Sequence, residues 1–281
     1  MQIVVGQAVR VTAIRQLART TLLTLGTVPP LRPALRAGFS WRFRRATRTM
    51  RGFGGLYPDF AAARRDVPSC RANGFDDEST VGLLLDEADT VFSSDYAMMF
   101  WFAKFQDDLD LVFDWGGYLG RSYRIYRRLV GFDDRLRWVI NDVPAVVRFG
   151  RSAAASMFGD AVSFTESFDA LEQADLLLAS GSFQVIEDPW QPLQQAARRP
   201  RHVLIDKIPA YDQPSAVTLH SVGTALVPYH LFNKESFVSR FRSMGYELID
   251  TWLNHNVDCR IPFYEDHSIA AYSGFYFRFP H

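Results

Sequence analysis

From Leu109 onward, apolar runs of four or five residues alternate with longer segments whose apolar positions recur at helical spacing. Such short runs read as buried strands and the longer segments as helices. Strands are predicted at Leu109–Phe113, Leu136–Ile140, Ala161–Phe164, Leu176–Ala179 and His202–Ile205, with helices at Ser122–Leu129, Pro144–Phe158, Phe168–Ala174 and Trp190–Arg198 between them. This alternation implies an α/β fold whose parallel strands are covered by helices on both faces. Near the C-terminus the pattern changes. A helix over Lys234–Met244 stops at Gly245, a residue suited to the position after a helix. Tyr246–Trp252 and Gly274–Phe279 then alternate in polarity, as an antiparallel edge pair does.

Before residue 106 the periodicity is helical. Residues 3–25 read as an amphipathic helix broken by Pro29, Pro30 and Pro33. Ser40–Arg51 is a basic segment, Gly52–Pro58 a glycine-rich loop, Asp59–Asp66 a short helix, and Ser79–Phe92 and Asp95–Phe105 two further helices. We therefore divide the chain into a helical N-terminal extension or cover, 1–105, and an α/β domain, 106–281.

Composition narrows the class. A chain of 281 residues with 48% hydrophobic and 22% charged residues buries a substantial core and is neither disordered nor fibrous. Cys70 and Cys259 form no CxxC pair and imply no disulfide framework, so a reducing, cytoplasmic setting is expected. Arginines spread through residues 1–26 argue against a signal peptide, and no apolar run reaches the roughly 18 residues of a membrane span. Basic and acidic residues balance at 31 each, but residues 1–58 hold ten arginines and no acid. That arm suits an acidic partner, a membrane surface or RNA, or is a packed helical extension through which two copies form a homodimer.

The chemistry begins at Val112–Gly120, where an apolar strand ends in a carboxylate, turns on glycines and enters a helix. Glycines accept positive φ and let a ligand approach the backbone, while the first helical turn offers free N–H groups. The dinucleotide fingerprint G-x-G-x-x-G does not fit, because Asp114 precedes the glycines in the order Asp-x-Gly-Gly-x-x-Gly. Asp114, Gly116, Gly117 and Gly120 resemble the first motif of class I S-adenosylmethionine-dependent methyltransferases, with Tyr118 where the middle glycine is usual. The resemblance implies a Rossmann-like sheet of five parallel strands plus an antiparallel C-terminal pair, and S-adenosyl-L-methionine as methyl donor.

Residues just beyond the strands form the site in such a sheet. Asp142 follows the second strand at the spacing of an acid that takes a ribose hydroxyl pair; the alternative is a loop acid or helix cap before Pro144. Thr165 and Glu166 lie where an adenine ring would be approached, or cap the next helix. Ser180, Gly181 and Ser182 border the reacting centre, or form an ordinary turn. Asp206 and Lys207 follow the fifth strand on the acceptor side, or pair with surface charges.

Trp138–Pro144, Ser180–Pro189 and Leu204–Pro209 resemble successive motifs of a small bacterial family of methyltransferase-like proteins often linked to surface-polysaccharide gene clusters, with similarity from about Gly52 to Phe279. Lys207 and His220 depart from the Arg and Gln expected there. The resemblance implies methyl transfer to a small hydroxylated acceptor, such as a sugar or natural-product hydroxyl. A general base within reach of that hydroxyl would come from His220, His230, Asp188 or Asp206; Tyr211, Tyr229 and Trp190 line the acceptor pocket or pack the core. His255, Asp258, Cys259, Asp266 and His267 fit no compact metal motif, so no metal is expected, and no nucleic-acid-binding motif is present. The alternative from another class is a methyltransferase-fold scaffold without transfer activity; an NAD-type oxidoreductase ranks third.

Overall fold

The computed structural model describes residues 30–46, 50–76 and 90–280. The helix expected over 3–25 and most of that over 79–92 lie outside them; residues 90–92 are extended. The large sheet is built from β3 (Leu111–Trp115), β4 (Arg137–Asn141), β5 (Val162–Thr165), β6 (Leu176–Ser180), β7 (His202–Ile208), β11 (Glu247–Asn254) and β12 (Tyr272–Arg278). Its order is β11-β12-β7-β6-β3-β4-β5. β3 to β7 are parallel, and β12 runs antiparallel to both β7 and β11. The five parallel strands and the antiparallel C-terminal pair are the sheet expected from the sequence. β3 is buried at every position and Leu176–Ala179 are fully inaccessible, as a central strand covered on both faces requires.

One face of this sheet is covered by α3 (Ser93–Phe105), through Met98, Phe102 and Phe105, and by α4 (Arg121–Leu129), through Ile125 and Tyr126. α5 (Pro144–Phe158) joins the same core through Val147. The other face packs Phe237, Val238 and Phe241 of α7 (Lys234–Ser243) against Phe113, Leu177, Ile205 and Phe275. Asn233 caps α7 by accepting the Ser236 N–H, and Gly245 follows its end with φ 92°. The helix expected over Trp190–Arg198 is a shorter α6 (Gln191–Gln195), and that over Phe168–Ala174 is a 3-10 turn.

A second sheet is absent from the sequence reading. It joins β1 (Gly52–Tyr57) and β2 (Ala72–Asn73) to β8 (Ala210–Tyr211), β9 (Ala216–Ser221) and β10 (Ala225–Asn233), an insertion directly after β7. The segment read as a loop, Gly52–Pro58, is therefore largely a strand, paired antiparallel with β9. α1 (Arg32–Arg45) and α2 (Phe60–Arg65) cover one face of this sheet, where Phe43 and Phe60 meet Val217, Leu219 and Leu226. Pro33 lies in the first turn of α1, where a missing N–H costs nothing. A Cβ at Gly54 would lie 2.7 Å from the Phe43 ring, so the glycine is what lets α1 seat.

Buried Arg71 closes the open end of this sheet. Its guanidinium donates to the carbonyls of Ala46, Gly223, Thr224 and Ala225 and to Ser221 Oγ. Arg71→Ala strands those acceptors, and we expect a loss of about 3 kcal/mol in urea unfolding.

Candidate functional site at the carboxyl edge

The strand ends of β3, β4, β6 and β7 converge on one edge of the large sheet. Asp114, the fourth residue of β3, is almost wholly buried, and its Oδ2 accepts the Trp138 Nε1–H at 3.0 Å. Burial pushes its pKa up to about 7, opposed by the indole bond and reinforced by Asp142. The turn that follows leaves no room for side chains. A Cβ on Gly116 would stand 2.3 Å from Ser182 Cβ, and one on Gly117 would stand 2.5 Å from Asp114 Cγ. Gly116 has φ 70° and donates its N–H to Asn141 O at 2.7 Å. Gly120, φ 73°, opens α4.

Tyr118 takes φ 51°, the left-handed conformation for which a glycine is usual, and its ring rests against Leu119, Ala145 and Val146. Holding a non-glycine residue there costs of order 1 kcal/mol, and such strain gathers at functional sites. Its N–H donates to Asp142 Oδ2 at 2.8 Å, while Asp142 Oδ1 accepts the Val143 N–H at 2.8 Å. Asp142 thus ties the glycine turn to β4. Burial raises its pKa to about 6 against the pull of those two bonds.

Asp206 ends the row. It pairs with Ser180 across β6 and β7 and is fully inaccessible. Oδ1 accepts the Trp252 Nε1–H at 3.0 Å. Ser94 lies near enough to favour its charged form, yet neither Ser94 Oγ nor Asp206 Oδ2 makes a hydrogen bond, and Ser180 Oγ and Gln184 Oε1 make none either. Burial raises the Asp206 pKa, and Lys207 opposes it. Lys207 has φ 61°, so two of the three non-glycine residues with positive φ among the described residues stand on this edge.

A strap of residues 90–92, expected from the sequence to be helical, leads into α3 across the same edge. Phe92 lies under two cations, Arg121 at 4.8 Å and Lys207 at 5.3 Å from its ring centre. Arg121 also pairs with Asp95 at 2.5 Å, a bond only 17% and 5% exposed on its two sides, and donates to the Thr90 carbonyl. Sequence offered one sign of this: Asp95 sits in the first turn of an apolar helix, where its carboxylate accepts the Phe92 N–H. Trp138 and Trp252, which hold the two buried carboxylates, had no signal beyond being aromatic.

The remaining candidates scatter. Ser182 donates to the Trp115 carbonyl at 2.5 Å, and Gly181, φ 85°, bonds through its N–H to Asp206 O. Thr165 Oγ1 accepts the Ser167 N–H, and Glu166 is exposed. Asp188 is an exposed cap for Trp190 and Gln191. His220 and His230 occupy opposite faces of the second sheet. His220 stacks on Phe53 at 4.5 Å and meets Tyr229 edge-on, and burial pulls its pKa down to about 4. His230 packs on Phe60 and Phe232, bonds to the Glu187 carbonyl and is likewise lowered by burial. Trp190 packs in the core against Phe237 and Phe241, Tyr229 bonds to Tyr272, and Tyr211 to the Pro214 carbonyl and His267. Among the described residues no cluster of three or more His, Cys, Asp or Glu is arranged to hold a metal, and no helix is long and apolar enough to cross a membrane.

No protein-family model matches the chain, and no curated protein matches its sequence. Among solved structures the chain is similar to a methyltransferase from Streptomyces caelestis, at 17% identity over 73% of this chain and 100% of that one, with TM-score 0.47. A SAM-dependent methyltransferase from Aquifex aeolicus matches at 12% identity over 73% and 99% of the two chains, also with TM-score 0.47. The 1,6-didemethyltoxoflavin-N1-methyltransferase of Burkholderia thailandensis, solved with 1,6-didemethyltoxoflavin and S-adenosylhomocysteine, matches at 16% over 67% and 80%, with TM-score 0.42.

Proposed function

We propose that the chain is an S-adenosylmethionine-dependent methyltransferase acting on a small hydroxylated acceptor, with residues 106–281 holding the donor and the strap before α3 crossing its edge. The observation that carries this reading is the glycine turn closed by Asp142, whose carboxylate is fixed by the Tyr118 and Val143 N–H groups, an arrangement that suits a ribose-binding role. A carboxylate has about four acceptor sites, so two remain for a pair of ribose hydroxyls. The donor set also fits. Buried Ser180 Oγ, at the end of β6, has no hydrogen-bond partner and is free to meet a bound group. When bound, the donor supplies a methyl group already activated on a sulfonium, so the protein's task is position and orientation.

The acceptor approaches from the second sheet, which is inserted after β7 beside Gly181. Gln184 links the two regions, donating to the Gly181 carbonyl at 2.8 Å and lying beside Tyr229. Asp206 and His220 are the candidates for accepting a hydroxyl proton on this side; Asp188 and His230 are engaged elsewhere.

The test is calorimetric titration with S-adenosylhomocysteine, with NAD as control; micromolar binding of the first alone supports the assignment. The pH dependence sharpens it. Asp142 is raised above the ordinary aspartate value to about 6, so the folded state holds its proton more tightly than the unfolded chain. Its contribution to stability therefore falls as pH rises from about 4 through 6. Donor affinity runs the opposite way, because the anion accepts both hydroxyls. We expect S-adenosylhomocysteine to bind roughly tenfold tighter at pH 7 than at pH 5, with Asp142→Asn flat across the range. The strain at Tyr118 favours one rival, a donor-binding scaffold without turnover. Tight donor binding, no transfer across hydroxylated acceptors and stable copurification with another enzyme would establish it.

A further inference from the structure

We propose that the outward face of α1 is a docking surface for an anionic lipid bilayer. The helix is fixed in place by its inward face. Phe43 is buried against β1, Phe39 stacks on Phe43 and Phe263, Arg32 pairs with Glu265, and Arg44 pairs with Asp66. Opposite these anchors, Leu31, Ala34, Gly38, Trp41 and Arg45 recur at three- and four-residue spacing and are all exposed. Leu31 is 49% and Trp41 57% exposed, and the Arg45 guanidinium sits 5.2 Å over the Trp41 ring. Exposed Arg42 flanks the stripe and bonds to Met50 Sδ, and neither it nor Arg45 meets a carboxylate among the described residues.

The charge is not balanced along the chain either, since residues 1–58 contain ten arginines and no acid. An aromatic residue and a leucine on a low-profile helix face, bordered by arginines, match the headgroup region of a bilayer: the apolar side chains enter the acyl boundary and the guanidinium groups meet anionic headgroups. Single-stranded RNA would use the arginines but leave Leu31, Ala34 and Gly38 without a role. A second copy in isologous contact would set these arginines against one another.

The experiment is co-sedimentation of the full chain with vesicles of phosphatidylcholine alone and of phosphatidylcholine mixed with phosphatidylglycerol. The mixed vesicles are expected to bind the protein in a salt-sensitive manner and the neutral ones to leave it in solution. Arg42→Gln/Arg45→Gln should weaken binding roughly thirtyfold, and Trp41→Ser roughly tenfold. An unchanged thermal midpoint shows that the variants are folded, and the salt dependence of the unmodified chain is an independent measure. The proposal is overturned by absent or equal binding to the two vesicle types, by a double-arginine variant that binds as before, or by tighter binding to an oligoribonucleotide. Dimerisation abolished by the same substitutions overturns it too.

Discussion

Gly116→Ala is expected to abolish measurable binding of S-adenosylhomocysteine and to cost about 3 kcal/mol of stability. The added methyl would fall 2.3 Å from Ser182 Cβ, and Ser182 has nowhere to go: it is buried and its hydroxyl is tied to the Trp115 carbonyl at 2.5 Å. Moving the turn instead would break the Gly116 bond to Asn141 O and force alanine to hold φ near 70°. Either route shifts the ends of β3, β4 and β6 relative to one another. Gly181→Ala is the control. It also has positive φ, but its Cβ meets only Lys207 Cδ at 3.5 Å and the Gln184 amide at 3.8 Å, so strain alone, about 1 kcal/mol, is expected. Calorimetry and urea unfolding on the two variants separate the cases; donor binding retained in Gly116→Ala would remove the glycine turn from the site.

Asp142→Ala is expected to lower donor affinity on the order of a thousandfold, since two hydrogen bonds to a charged acceptor are lost at roughly 2 kcal/mol each. The same change removes the acceptor that holds the Tyr118 N–H, so the strained turn loses its tie to β4. Asp142→Asn keeps an oxygen for one bond and should recover part of the affinity. A loss confined to stability, with donor affinity intact once the protein is folded, would show that Asp142 is only a strut for the turn.

The glycine-turn edge of the large sheet was legible in the sequence because its signal is local. Asp114, the glycines and Asp142 follow from strand ends and short spacings, and the structure brings Asp114 and Asp142 within electrostatic reach. The second sheet was not legible. β1 holds three glycines in six residues, a composition that reads as loop, and it is a strand only because β9 supplies its partner. β10 carries Pro228 inside the strand, where an absent N–H argues against a ladder position. The strap was hidden for another reason: Phe92, Arg121 and Lys207 are ordinary residues, and their meeting above the sheet is a fact of topology.

The pairing of β1 with β9 also fixes an order of events in folding. Gly52 must find Ser221, whereas the ladders from β3 to β6 close over far shorter loops. Closing the longer loop costs more chain entropy before any contact rewards it, and during synthesis β1 waits until β9 and β10 have been made. The β1–β9 ladder therefore closes late, after the β9–β10 hairpin that receives it. Its amide hydrogens should exchange before those of the central parallel strands, so that the insertion after β7 loosens while the glycine turn stays closed.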